Sequence, residues 1–235
     1  IEVKQAQLTN QKYRAIGLGT FGWHHLLALK GIHWESDEAV EFADELYGHI
    51  AFLTIQSSME LAVEKGAYPA FEGSEWQTGE YFEKREYLND EDWTELMERV
   101  AEFGIRNGYL MAVAPNMSTA TIAGSTASID PIFQIEYSEE KKDYKIPVTV
   151  PDINWETFSY YKSAYLIDQH WSIKQNAARQ RHIDQGISFN IYVTNKIQAK
   201  ELLALHMDAW ESGIKTSYYT RSTSSDIEEC TWCSS

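Results

Sequence analysis

Two cysteines separated by two residues, Cys230-Thr231-Trp232-Cys233, lie in a polar stretch from Ser222 to Ser235. A pair at this spacing can close a small disulfide and reopen it by thiol exchange, and a terminal position lets it travel. A zinc site needs two further ligands, and a disulfide joining distant elements needs a third cysteine that the chain lacks. The pair therefore reads as a mobile redox dithiol.

A second reactive pattern is Ala112-Val113-Ala114-Pro115-Asn116-Met117-Ser118-Thr119-Ala120-Thr121, where an apolar run stops at Pro115 and small hydroxyl residues follow. Backbone N–H groups and hydroxyls clustered just past a strand can cradle a phosphate by contact dipoles. The alternative is a Ser/Thr-rich loop with helix caps, because these residues favour turns for local hydrogen-bonding reasons. Tyr218-Tyr219 follows Lys215 and Thr216 at the end of a short apolar run. On a strand, neighbours face opposite sides, so one ring is expected inward and the other outward, with aromatic core packing as the simpler role.

Gly17-Leu18-Gly19-Thr20-Phe21-Gly22 matches G-x-G-x-x-G, which in a dinucleotide-binding fold lets a pyrophosphate approach a helix N-terminus. The preceding Leu8 to Arg14 is mostly polar and offers no buried first strand. These glycines are instead expected to let a helix start close against a sheet. The seven histidines, at 24, 25, 33, 49, 170, 182 and 206, are scattered, and Glu45 with His49 lacks a third ligand. They read as surface or hydrogen-bonded core residues, with no metal site.

These groups sit in a chain of 235 residues with 43% hydrophobic and 23% charged residues, as in ordinary globular domains. Twenty Lys and Arg against 35 Asp and Glu give a net charge of −15. That field repels a nucleic-acid backbone and anionic lipid, so direct nucleic-acid or membrane binding is not expected, and a phosphorylated ligand must be held by local donors. No run of 18 apolar residues exists and the first ten residues lack a signal-peptide pattern, giving a cytoplasmic expectation. The first residue is Ile1, which suggests a processed, cropped or split polypeptide.

The elements that must position these groups are mostly helical. Ser36 with Asp37 and Glu38 starts a long helix that carries Val40, Ala43, Tyr47, Ile50, Ala51, Ile55, Ser58 and Ala62 on one face as far as Gly66. Asn89 to Asp92 starts another, turning Leu96, Val100 and Phe103 toward the core and stopping at Gly104. Further helices are predicted near 155–180 and 197–212, the latter ended by Gly213. Apolar runs at Tyr109–Val113, Ile187–Val193 and Ile214–Tyr219 read as short strands, so the fold class is α/β with a mostly parallel sheet or barrel. Glu139 to Pro151 reads as a surface excursion, in the form of a hairpin.

Taken in order, the segments resemble the C-terminal part of the large, catalytic subunit of class I ribonucleotide reductase. The resemblance runs through Arg14-Ala15-Ile16-Gly17-Leu18-Gly19, Leu26-Leu27-Ala28, Gly104-Ile105-Arg106-Asn107, Pro115 to Thr121 and Ser128-Ile129-Asp130-Pro131. It continues through His182 to Ser188 and Gly213-Ile214-Lys215-Thr216-Ser217-Tyr218-Tyr219, and closes on Cys230 and Cys233. The resemblance implies roughly the second half of a ten-stranded α/β barrel over residues 1–221 and a flexible redox-active tail over 222–235. It implies that Pro115, Asn116, Met117, Ser118 and Thr119 bind the phosphates of a ribonucleoside diphosphate. Tyr218 and Tyr219 match a stacked pair that relays a radical from a small subunit with a dinuclear metal cofactor. Cys230 and Cys233 match the tail dithiol that re-reduces the active site and is recharged by thioredoxin or glutaredoxin.

Asn116 and Met117 stand where well-known members carry Ser/Thr and Glu/Ala, while Ser118 and Thr119 keep their hydroxyls. The family's chemistry also requires a thiyl-forming cysteine in an Asn-x-Cys-x-Glu loop and two electron-delivering cysteines, none of which is in this chain. The expectation is thus a catalytic-subunit fragment that binds no cofactor directly. It needs an N-terminal part or partner chain, assembles as an oligomer and is inactive alone. Two other readings stay open: an NAD(P)-dependent oxidoreductase using Gly17 to Gly22, and a non-catalytic remnant acting as a binding module.

Overall fold

The structure, a computed structural model, describes residues 2–140 and 145–223. The helices are α1 (Lys4–Tyr13), α2 (Trp23–Lys30), α3 (Asp37–Lys65), α4 (Glu75–Thr78), α5 (Glu80–Glu83), α6 (Glu91–Phe103), α7 (Ser118–Ile122), α8 (Gln169–Gln180) and α9 (Ala199–Glu211). The strands are β1 (Glu136–Glu140), β2 (Lys145–Thr149), β3 (Ile191–Val193) and β4 (Thr220–Ser222). The chain divides into two compact units. One comprises Ile1–Gly19, Asp44–Ala112 and Arg181–Gln185, the other Thr20–Ala43, Val113–Gln180 and Gly186–Ser235.

Helix α3 begins where Ser36 Oγ accepts the Ala39 N–H at 3.1 Å, with Asp37 and Glu38 in the first turn, where carboxylates favour the helix dipole. Gly66, at φ +79°, follows its last residue. Ala43, Tyr47, Ala51, Ile55, Ser58 and Ala62 are buried as the spacing predicts, whereas Val40 and Ile50 are only partly so.

In the first unit, Ile16 and Leu18 donate backbone hydrogen bonds to Tyr109 and Leu110, and Ala112 returns one to Leu18. The segment around Gly17 is therefore strand-like, while Leu8 to Tyr13 lie in α1, and a Cβ on Gly17 would meet the Ala112 Cβ at 3.1 Å. Asp184 extends this arrangement by accepting the N–H groups of Leu110 and Met111 at 2.7 and 2.8 Å. Arg106 and Asn107 brace the same unit: Arg106 Nη1 donates to the Lys65 and Gly66 carbonyls that α3 leaves unpaired, and Asn107 Nδ2 donates to Arg14 O. In α6, Asp90 caps the N–H groups of Asp92 and Trp93, and Leu96 and Val100 are buried. Phe103 is 45% exposed, contrary to the core position predicted from its spacing. It occupies the last helical position before Gly104 turns the chain at φ +80°.

In the second unit, β1 and β2 form the antiparallel hairpin predicted for this region, pairing Glu136 with Thr149 and Glu140 with Lys145. Helix α8 is shorter than the predicted 155–180 element, because residues 158–160 and 164–166 form single 3₁₀ turns. Its buried face is largely polar and makes specific contacts: Gln175 Oε1 accepts Trp23 Nε1 at 2.6 Å, Ser172 Oγ accepts Trp34 Nε1 at 3.1 Å, and the Arg179 guanidinium lies 4.2 Å from the Trp23 ring. Val113 bridges Ile187 in parallel, and β3 pairs with β4 in parallel, Ile191 opposite Thr220 and Val193 opposite Ser222. The unit is mixed helix and sheet, as the α/β reading requires, but the described residues do not close a barrel. No helix among them is long and apolar enough to cross a membrane.

Candidate functional site

Every described residue that the sequence singled out for substrate or radical chemistry lies in the second unit. The strand-like segment at Val113 fixes where the hydroxyl-rich loop begins: Val113 N–H donates to Gly186 O at 3.1 Å, and Ser188 N–H to Val113 O at 2.8 Å. Beyond Pro115 the chain is tied to Ser128 by two bonds. Ser128 Oγ accepts the Asn116 N–H at 3.1 Å, and Ser128 N–H donates to Asn116 O at 3.0 Å. The chain then enters α7 at Met117 with no side chain capping it.

An α-helix leaves its first N–H groups without intrahelical acceptors. At α7 these accompany the exposed hydroxyls of Ser118 and Thr119, while Ala120 anchors the turn in the core. The Asn116 amide turns back to Ala114 O at 3.1 Å, and Met117 is exposed, so neither side chain adds a donor to the mouth of the loop.

Tyr218 and Tyr219 are held by the neighbouring segment. Tyr218 N–H donates to Phe189 O at 2.8 Å and Ile191 N–H to Tyr219 O at 2.9 Å. Thr216 sets the register of this run, its Oγ1 accepting the Ile187 N–H at 3.0 Å and donating to Ile187 O at 2.9 Å. Gly186 makes room for that hydroxyl, because a Cβ there would lie 2.7 Å from it.

The expectation that the two tyrosines face opposite sides is overturned. Their ring centroids are 4.0 Å apart with planes tilted by 50°, and they are 47% and 51% exposed. The regular strand is Thr220–Ser222, not Ile214–Tyr219, so strict side-chain alternation does not govern this pair. Within this chain neither ring is buried in the core. The Tyr218 phenol is pushed above the ordinary tyrosine range, first by its hydrogen bond to Tyr219 and then by the electrostatics of that neighbour. The Arg221 guanidinium lies 5.2 Å from the Tyr219 ring. Cys230 and Cys233 lie outside the described residues.

Sequence reasoning missed Asn190 and Arg221 altogether and assigned no role to Asp130. Asp130 is buried, and burial raises its carboxyl to about 6 despite hydrogen bonds from Asn190 and the charges of Arg221 and Arg179. Its signal was an acidic residue placed between Ile129 and Pro131. The histidines are largely accounted for as hydrogen-bonded residues. His24 accepts the Ile132 N–H and donates to Tyr160 O, while His182 in the first unit bridges Tyr87 and Asp44. Gly22 is an αL residue at the start of α2, and a Cβ there would meet Ser125 Oγ at 2.2 Å, so its site is filled by the protein itself.

Residues 1–220 match the family model described as "Ribonucleotide reductase, barrel domain". The chain is 50% identical over 233 residues to the ribonucleoside-diphosphate reductase subunit alpha of Treponema pallidum, covering 99% of this chain and 28% of that protein. It is 40% identical to the subunit alpha of Helicobacter pylori strain J99, covering 96% of this chain and 30% of that one. It is 35% identical to the Bacillus subtilis subunit alpha, covering 95% and 35%. The chain thus spans about a third or less of the length of these relatives. With the matched model covering almost all of its length, the chain belongs to the ribonucleotide reductase barrel-domain family.

Proposed function

We propose that this chain is part of the catalytic subunit of a ribonucleoside-diphosphate reductase, which reduces ribonucleotides to deoxyribonucleotides by thiyl-radical chemistry. The observation that carries this reading is the pairing of two half-exposed tyrosine rings at 4.0 Å. Adjacent phenols in contact, one hydrogen-bonded to the other, can pass an electron with its proton from ring to ring. In this reading Tyr218 and Tyr219 carry the radical between a small subunit and the active site. The small subunit's dinuclear metal centre supplies the oxidising equivalent.

Pro115 to Thr119 hold the diphosphate of the substrate, chiefly through backbone donors and the Ser118 and Thr119 hydroxyls. The exposed start of α7 supports this in a protein whose net charge of −15 offers no general attraction for phosphate. Cys230 and Cys233 act as the tail dithiol of residues 222–235, recharged by thioredoxin or glutaredoxin, while residues 1–221 form about half of a ten-stranded barrel. The radical cysteine and its reducing pair belong to the remaining length of the subunit, since the chain has no other cysteines and spans less than a third of its T. pallidum relative. The working assembly is a cytoplasmic oligomer of large and small subunits.

The test is reconstitution of the complete large subunit with its small subunit. Tyr218→Phe and Tyr219→Phe should each abolish turnover while leaving ribonucleoside diphosphate binding intact. Full multiple-turnover activity in either variant removes the relay assignment.

A further inference from the structure

Asp130 is 6% exposed, and both of its carboxylate oxygens are directed at one residue sixty positions away. Oδ1 accepts the backbone N–H of Asn190 at 3.0 Å, and Oδ2 accepts its Nδ2 at 2.5 Å. The carboxylate therefore decides which way the Asn190 amide is turned. With Nδ2 facing Asp130, Oδ1 faces away and accepts the backbone N–H of Tyr219 at 3.2 Å. The reversed amide would set an oxygen against the carboxylate and an NH₂ group against an N–H donor, leaving buried polar groups unpaired. The neighbouring residue completes the hold, because Ile191 N–H donates to Tyr219 O at 2.9 Å. Both polar atoms of the Tyr219 backbone are thus gripped by residues 190 and 191, and Asp130 fixes the grip from behind.

We propose that Asp130 and Asn190 form a positioning pair that sets the backbone of Tyr219, and so the contact of its ring with Tyr218, for radical transfer. The proposal rests on the relay reading above. Neither residue is bonded to the phenols of Tyr218 or Tyr219; they act through the peptide N–H of Tyr219, while the Asn190 side chain also hydrogen-bonds the Tyr192 phenol. The charged and titratable groups facing Asp130 are Arg221 of β4, Arg179 of α8 and the Tyr192 phenol of β3. Burial holds the carboxyl at about 6, so acid below that value turns one of its two acceptor oxygens into an O–H and weakens the hold on Asn190.

A reciprocal exchange in the complete large subunit, assayed with the small subunit, tests the pair. Asp130→Asn sets two amides face to face, and Asn190→Asp sets two carboxylates face to face. The double variant Asp130→Asn/Asn190→Asp restores the bonds that link residues 130, 190 and 219, since the new amide donates to the new carboxylate and that carboxylate still accepts from Tyr219. Each single change should lower kcat by about ten- to a hundredfold, the scale of one lost charged hydrogen bond, with the KM for ribonucleoside diphosphate unchanged. The double variant should regain most of the kcat, and its acid limb should move away from that of the wild type.

Wild-type kcat in both singles, with Tyr219→Phe inactive, would overturn the positioning pair and leave the relay standing. Undiminished turnover in Tyr219→Phe would overturn both. Should the singles fail to fold, the double variant decides: a folded double with lost turnover overturns the proposal.

Discussion

Tyr218 and Tyr219 are consecutive in the chain, yet their rings lie 4.0 Å apart centroid to centroid. Adjacent side chains of an extended strand would point to opposite faces. The pairing is possible because regular strand geometry begins only at Thr220, one residue beyond the pair. The bonds from Tyr218 N–H to Phe189 and from Ile191 N–H to Tyr219 O hold the backbone while both rings turn toward the same side.

Replacing either tyrosine by Phe keeps the ring and removes the O–H. Turnover in the reconstituted subunit complex should fall by about 10³-fold or more, about 4 kcal/mol of barrier. Thermal stability should change little, because both side chains are half exposed. Steady-state kinetics beside a melting curve checks this, and a large fall in melting temperature would show that the rings are packing residues instead.

Asp130 makes stability depend on pH in the direction opposite to an ordinary paired carboxylate. Its folded value, about 6, lies above the unfolded value of 3.8, so between these limits the folded state holds the extra proton. Stability from this group is full below about pH 4 and is lost as pH rises through about 6, by about 3 kcal/mol. The difference in unfolding free energy between wild type and Asp130→Asn should therefore shift in favour of the variant over that interval. Denaturant titrations at pH 4 and pH 7 measure it, and a pH-independent difference would contradict the assignment.

His24 works with the opposite sign. It is fully buried and held near 4 by burial, and its neutral form is the one that accepts the Ile132 N–H while donating to Tyr160 O. Because its unfolded value is 6.5, stability from this group is present above that pH and is lost as pH falls toward 4, by about 3 kcal/mol. His24→Gln should flatten this acid limb at some cost in stability at pH 7. An unchanged acid limb in unfolding titrations would remove His24 as its source.

Gly22 lies at φ +77°, and a Cβ there would meet Ser125 Oγ at 2.2 Å. Gly22→Ala should destabilise the protein by about 2–3 kcal/mol, combining left-handed backbone strain with the clash. Adding Ser125→Ala should recover part of that loss, because it removes the hydroxyl but not the strain. Equal stability of the single and double variants would show that the clash is relieved elsewhere.

Local signals were legible where their physical cause is local. The bounds of α3 and α6 follow from Ser36 and Asp90 as caps and from Gly66 and Gly104 as stops, all within a turn of the helix ends. The hairpin at 136–149 and the end of α9 near Gly213 were legible for the same reason. Phe103 was misplaced because periodicity describes a helix face and says nothing of where the neighbouring elements stop covering it. The strand around Gly17 was missed because two or three residues pairing with Tyr109 and Leu110 leave too short a pattern to read.

By itself the sequence supplied the residues whose chemistry could matter: a hydroxyl-rich stretch after an apolar run, adjacent tyrosines and two cysteines separated by two residues. Their order was enough to identify the family. Tertiary structure alone decided the tilted geometry in which the Tyr218 and Tyr219 rings meet, that Ser128 anchors Asn116, and that Asp130 meets Asn190. The physical reason is that a buried carboxylate must find donors wherever the fold supplies them. Here the donor lies sixty residues along the chain, and no local pattern encodes that distance.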